Sequence, residues 1–298
     1  MTQAPGFIDL HVHGGGGFDF ASSPEAMERG VAFHRSHGTA GMLISLMTAP
    51  VDELCEQLGW VAQLARLPDS GVLGAHLEGP FLAHARCGAQ NRDHLLAPDR
   101  GVLAKLLEAG QGLVRTVTVA PELPGALDLV ADIVEAGAIA AVGHTDATYE
   151  QARAAFDAGA SLATHLFNAM GSISQRAPGA AIAALDAGVT VELINDGVHV
   201  HDALVRLLLR GDTKVALITD AISATGAGDG EYLLGGQKVI AKDGTVRLAD
   251  SHRLAGSTLT MDAAFRRALD LGIPEEQAIA ATSTTAACLL DLELPLTG

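Results

Sequence analysis

Two histidines, His11 and His13, close the stretch GFIDLHVH, and four glycines, Gly14 to Gly17, follow at once. Side chains alternate along an extended segment, so His11 and His13 share a face with each other and with Asp9. Paired imidazoles at a strand end suit a divalent metal ion, and glycine lets backbone turn sharply or come close to a bound group. Further metal-ligating side chains end other apolar runs: Glu78 in VLGAHLEG, His144 in AIAAVGHT, His165 in SLATHLFN and Asp220 in KVALITDA. A nitrogen-rich set with an anionic oxygen favours Zn²⁺ or another borderline ion over Mg²⁺ or Ca²⁺, which prefer all-oxygen shells. Glu78, His144 and His165 would make one tight three-ligand site, and His11 with His13 offers a second, so one or two ions per subunit are expected. VRTVTVAP contains no lysine that could bridge two ions once carboxylated, which leaves Glu78 for that role. A metal lowers the pKa of its water toward ~7, and a carboxylate beside it can take the proton and later deliver one to a leaving nitrogen. Asp220 is placed for that work, the plainer alternatives being a further ligand or a helix cap.

These residues are far apart in the chain, so a fold must gather them. Eight β-rich runs occur, at GFIDLHVH, TAGMLISL, VLGAHLEG, VRTVTVAP, AIAAVGHT, SLATHLFN, VTVELIND and KVALITDA. Most are separated by segments with helical periodicity, such as PVDELCEQLGWVAQLARL, LPGALDLVADIVEAG and HDALVRLLLRG. The alternation predicts an α/β fold, a parallel (β/α)8 TIM-type barrel. In such a barrel all C-terminal strand ends share one face, and His11, His13, Glu78, His144, His165 and Asp220 converge there. Residues 230–257 break the pattern, and the Asp243-Gly244 turn predicts a β-hairpin inserted after the eighth strand. Helices beginning near Thr260 and Pro274 would complete the ring. No interdomain linker is visible, so 1–298 is expected to be a single metal-dependent hydrolase barrel domain.

Composition excludes some classes. The chain is 48% hydrophobic, yet no apolar run reaches the ~20 residues of a membrane span, and no export signal is recognisable. Cys55, Cys87 and Cys288 are odd in number and widely spaced, as for free thiols of a reducing compartment, and a cytoplasmic location is expected. A net charge of -16 argues against nucleic acid or an anionic membrane as partner. A small anionic substrate remains compatible, because a metal or local cation can reverse the field in one pocket. HGGGGFDF lacks the lysine of a phosphate-cradling loop. His76 shares the strand face of Glu78 and could support it, whereas His34, His37, His201 and His252 are expected to play ordinary packing or surface roles.

The motifs PGFIDLHVHG, HLEGPFL, VGHTDA, THLFNAM, NDGVH, ITDA and LAGSTLTM occur in that order between Pro5 and about Leu290. Together they resemble the N-acetylglucosamine-6-phosphate deacetylases, a branch of the amidohydrolase superfamily. The resemblance implies hydrolysis of the N-acetyl group of N-acetylglucosamine 6-phosphate to glucosamine 6-phosphate and acetate, by a metal-bound hydroxide. It implies that Glu78, His144 and His165 hold the catalytic metal and that Asp220 is general base and acid. The phosphate would meet Arg176, His199 and the backbone of Asn168-Ala169. In similar enzymes a neighbouring subunit often supplies the arginine or the histidine, so a homodimer is expected. Gln90 stands where the family commonly has a histidine, and its amide is expected to contact substrate by donation alone. Only MTQA precedes Pro5 and the chain ends at LELPLTG, so the family's accessory β-sandwich is expected to be largely absent. The rival readings are an amidohydrolase for another substrate, such as N-acetylgalactosamine 6-phosphate or a cyclic amide, and a sugar-phosphate-binding protein with impaired catalysis.

Overall fold

The computed structural model describes residues 6–293. Each of the eight apolar runs becomes a barrel strand: β1 (Phe7–Val12), β2 (Thr39–Met47), β3 (Val72–Glu78), β4 (Val114–Val119), β5 (Ile139–Val142), β6 (Leu162–Ala163), β7 (Thr190–Ile194) and β8 (Val215–Ile218). Every neighbouring pair is parallel, in sequence order around the sheet. Continuous burial explains the near-unbroken apolar character of these strands, since one face packs in the barrel and the other under helices. A parallel bridge between Val12 and Ala221 joins the first strand to the chain just beyond the last, and the Asp220 N–H donates to His11 O at 2.9 Å. That closure brings the two ends of the site together.

Helices α1 (Pro24–Ser36), α2 (Val51–Ala65), α3 (Arg100–Ala109), α4 (Ala126–Glu135), α5 (Tyr149–Asp157), α6 (Gly179–Ala187), α7 (Asp202–Leu209) and α8 (Met261–Asp270) surround the sheet. In α4 the buried residues Ala126, Leu129, Val130 and Ile133 recur at the spacing of a single helical face. Helix α5 starts at a reciprocal cap: Thr148 accepts the Gln151 N–H, and Gln151 accepts that of Thr148. Helix α8 follows Thr260, which bonds the Asp262 side chain, and a last helical segment begins after Pro274, as expected from the sequence.

Residues 230–257 are more than a hairpin. Strands β9 (Gly230–Leu234), β10 (Gln237–Lys242) and β11 (Thr245–Leu248) form a three-stranded antiparallel sheet. Gly235-Gly236 and Asp243-Gly244 both have positive φ, the conformation that two-residue hairpin turns require. The sheet owns a small core of Leu234, Val239, Ala241, Val246 and Leu248, packed on Met47, Ala89 and Ile222 from the barrel rim. Gly235-Gly236 is as much a hairpin-turn signal as Asp243-Gly244, so the additional strand was legible in the sequence and the single-hairpin expectation passed over it. The sixth strand is also shorter than the run SLATHLFN suggests. Backbone at His165, Phe167 and Ala169 enters positive φ, which ends the ladder and turns the chain over the site.

The first two of the four glycines after β1 have a steric cause. Gly14–Gly15 pairs antiparallel with Phe18–Asp19 in a small ladder. A Cβ on Gly14 would meet Phe18 O and lie 2.9 Å from Ser223 N, and one on Gly15 would lie 2.6 Å from His34 Nε2. Among the described residues no helix is long and apolar enough to cross a membrane.

Candidate metal centre and its cavity

Each expected ligand stands at a C-terminal strand end. His11 lies in β1 and His13 just past it; Glu78 is the last residue of β3. His144, His165 and Asp220 lie shortly beyond β5, β6 and β8, and all three have positive φ (47°, 29° and 50°). Non-glycine residues in that region persist only where the surroundings over-determine them, and such strain gathers at functional sites. Here the restraints are visible: Asp220 donates its N–H to His11 O and accepts the Ser257 N–H at 2.7 Å.

The side chains form two groups that share Glu78: His11, His13 and Glu78, and Glu78, His144 and His165, with ligand atoms in each within 4.8 Å of one another. All are buried. Glu78 Oε1 lies 2.9 Å from His144 Nε2 and 3.0 Å from His165 Nε2, and the two Nε2 atoms are 3.0 Å apart. His144 Nδ1 donates to Arg86 O at 2.9 Å, so in the neutral ring Nε2 carries a lone pair aimed at Glu78 and His165. Such a meeting of acceptors is repulsive unless a cation lies among them, so the donor set fits a divalent metal. On the other side His11 Nε2 lies 3.1 Å from His13 Nε2. His13 Nδ1 donates to Ser45 O, also at 3.1 Å.

Electrostatics agree. Burial acts to lower the His11 and His13 pKa values, but Glu78 with Glu192 at His11, and Asp220 with Glu78 at His13, outweigh it and hold His13 up to about 9. The acids thus pull positive charge into the site. Burial pushes Asp220 up, yet the hydrogen bond from His13 and the charge on His11 keep it below the usual carboxylate range. Asp220 Oδ1 is 3.3 Å from His13 Nε2.

A cavity of about 260 Å³ opens above these groups, lined by His13, Glu78, His144, His165 and Asp220. Gln90, Asn168, Ala169 and His199 also line it. His199 is anchored by Asp196: Nδ1 lies 2.7 Å from one carboxylate oxygen and the backbone N–H donates to the other at 2.8 Å. Burial lowers the His199 pKa, but that hydrogen bond and the charge of Asp196 raise it overall. Gln90 and Arg176 are held differently from these residues. Gln90 turns toward Glu78, its Nε2 donating to Oε2 at 2.6 Å while its Oε1 accepts the Thr48 N–H at 2.8 Å. One N–H of the amide is thus engaged with a metal-site carboxylate and its oxygen with backbone, which leaves the second N–H for the cavity. Arg176 is exposed on the loop before α6 and is not among the residues lining the cavity within one chain.

Arg86, Arg253 and Glu192 emerge only from the structure. Arg86 and Arg253 are the arginines on the cavity wall; Arg86 is paired with Asp146 at 2.7 Å, whereas Arg253 enters from the segment after β11. His76 is fully buried, between Ser45 Oγ (2.9 Å) and Thr118 Oγ1 (2.8 Å), edge-on to His11. It supports the site through these neighbours. Glu192, the one charged residue within strand β7, lies at 1% exposure beside His11. An acid in a strand otherwise built for burial was the available signal.

A model of the amidohydrolase family matches residues 2–294. The chain belongs to the amidohydrolase family. It is 37% identical to the N-acetylgalactosamine-6-phosphate deacetylase of Escherichia coli O157:H7, covering 97% of this chain and 78% of the relative. It is also 37% identical to the N-acetylglucosamine-6-phosphate deacetylase of Lysinibacillus sphaericus, over 88% of this chain and 69% of the relative. Among solved structures, an aspartate-to-alanine mutant of the N-acetyl-D-glucosamine-6-phosphate deacetylase of Mycobacterium smegmatis, in complex with N-acetyl-D-glucosamine-6-phosphate, superimposes with TM-score 0.95 at 43% identity. That match covers 99% of this chain and 80% of the other. The amidohydrolase barrel and its resemblance to this deacetylase branch, both expected from the motifs, are borne out.

Proposed function

We propose that this amidohydrolase removes the acetyl group of N-acetylglucosamine 6-phosphate, giving glucosamine 6-phosphate and acetate. The observation that carries the reading is the convergence of Glu78, His144, His165 and Asp220 on one cavity whose wall includes Asn168, Ala169 and His199. A divalent ion, for which Zn²⁺ suits the donors, held by Glu78, His144 and His165 with a second at His11, His13 and the shared Glu78, would acidify water and polarise the acetyl carbonyl.

The remaining chemistry belongs to the chain. Asp220, kept as a carboxylate and facing the cavity, accepts the proton of the attacking water as the oxygen–carbon bond forms. The same carboxyl then delivers that proton to the sugar nitrogen as the carbon–nitrogen bond breaks. An amine leaves poorly without it. Gln90 keeps Glu78 oriented, and the Asn168-Ala169 backbone with His199 receives the phosphate. Arg176, outside the cavity of its own chain, reaches a phosphate in this proposal from a second copy, so the working unit is a homodimer in the cytoplasm.

The test is acetate release from N-acetylglucosamine 6-phosphate by protein stripped of metal and reloaded with Zn²⁺. Turnover that requires the ion and the phosphate supports the reading; none on any N-acetyl amino sugar phosphate ends it. The galactosamine epimer belongs in the same assay, because one relative at 37% identity carries that name. A higher kcat/KM on it would exchange the substrate while leaving the mechanism intact.

A further inference from the structure

Glu192 is a buried acid that the proposed mechanism leaves unused. It sits in β7 paired with Ala216 of β8, buried to 1% exposure at the bottom of the site. One of its oxygens, Oε2, lies 3.1 Å from His11 Nδ1 and also accepts the backbone N–H of His165 at 3.1 Å. Its main-chain carbonyl accepts the Leu166 N–H at 2.8 Å. A single residue therefore ties down His11 from one ligand group and the strained segment of His165 from the other.

The chemistry of those contacts is directional. A carboxylate only accepts, so the His11 hydrogen stands on Nδ1 and the lone pair of Nε2 is left for the ion side, facing His13 and Glu78. At His165 the backbone φ is +29°, outside the comfortable range of any side-chain-bearing residue. Two hydrogen bonds from the same glutamate, one from its side chain and one from its backbone, hold that turn. Loss of the carboxylate frees the His11 ring to flip or change tautomer, and it slackens one of the two restraints on His165.

We propose that Glu192 is a positioning residue that couples the two ligand groups and makes the second, His11-side ion tightly bound. The inference rests on the metal-site reading above. The measurement is the Zn²⁺ affinity of each site in metal-stripped protein, by competition with a chromogenic chelator, for the parent, Glu192→Ala and Glu192→Gln. The parent is expected to take two equivalents. In Glu192→Gln, which fills the same volume, the His11-side ion should bind ~10–100-fold more weakly. The ion at Glu78, His144 and His165 should shift by less than ~10-fold. Circular dichroism checks that each variant is folded, and if Glu192→Ala is not, the glutamine variant carries the test. In the Zn²⁺-loaded protein the His11 Nδ1 proton should resonate further downfield in the parent than in Glu192→Gln, whose amide oxygen accepts more weakly than a carboxylate. Equal affinity for both ions in the parent and Glu192→Gln overturns the proposal, as does a parent that binds a single ion. A parent that binds no ion at all defeats the metal reading itself, a different and distinguishable failure.

Discussion

At the scale of single residues, the site divides into groups that would meet reactants and groups that hold them. Asp220 belongs to the first class: it faces the cavity, and its neighbours keep it charged. Replacing it by asparagine keeps shape and removes the proton carrier. Asp220→Asn is expected to lower kcat by ~10²–10⁴-fold with bound metal unchanged on elemental analysis. Loss of metal in that variant would return Asp220 to the status of a ligand. The two arginines make a sharper comparison. Arg253 lines the cavity of its own chain, while Arg176 does not. Arg253→Ala should raise KM for the phosphorylated sugar about tenfold, in line with one charge-assisted hydrogen bond, and leave kcat nearly unchanged. Arg176→Ala should do the same only where the protein is dimeric on light scattering. A KM that rises equally on unphosphorylated N-acetylglucosamine would remove either residue from the phosphate site.

At the scale of elements, the barrel was legible because parallel strands buried on both faces read as apolar runs, and the ligands were legible because they end those runs. Glu78 and His144 needed no tertiary information to be suspected. Glu192 was harder, since a mid-strand acid announces burial but not the partner it meets across the barrel. Arg253 was hidden for another reason: its place on the cavity follows from how the three-stranded sheet folds over the rim, which local alternation does not encode. His34 shows the same limit. On α1 it was expected to do ordinary packing work, and it does, but with full burial and its Nε2 at 2.9 Å from Gly14 O. Burial drives its pKa down to about 4, against the weaker pull of that hydrogen bond. An unfolded histidine titrates near ~6.5, so between those values the unfolded chain binds a proton that the folded chain refuses. Stability present above pH ~6.5 is therefore lost as pH falls toward 4, by up to roughly 3 kcal/mol for this group. Urea unfolding across that window should show a shallower pH slope for His34→Gln than for the parent. Parallel slopes would show that His34 is not the group responsible.

At the scale of the whole molecule, the site is a concentration of unlike and like charges that the fold alone does not relieve. Glu78, Glu192 and Asp220 are buried within hydrogen-bonding or near contact distance of four imidazoles, in a chain whose net charge is already -16. Burying ionised groups is costly unless they are paired, and a cation among them supplies the pairing while organising five residues from four strands. Ligands drawn from β1, β3, β5 and β6 span much of the barrel, so an ion seated there braces the strand ends against one another. Binding to the folded chain alone must then appear as stability: at a thousandfold excess of free ion over its dissociation constant, about 4 kcal/mol. For a chain of this size that corresponds to a Tm change on the order of 10 °C. Adding a strong chelator should lower Tm by about that amount, and readdition of Zn²⁺ should restore it, whereas Mg²⁺ should restore little because its preference is for oxygen. The same titration on His144→Ala should show a smaller difference between loaded and stripped protein, since one ligand of the tighter group is gone. A Tm indifferent to chelator in the parent would mean that the acids and imidazoles neutralise one another by proton sharing alone, and that the barrel rim needs no ion to hold its shape.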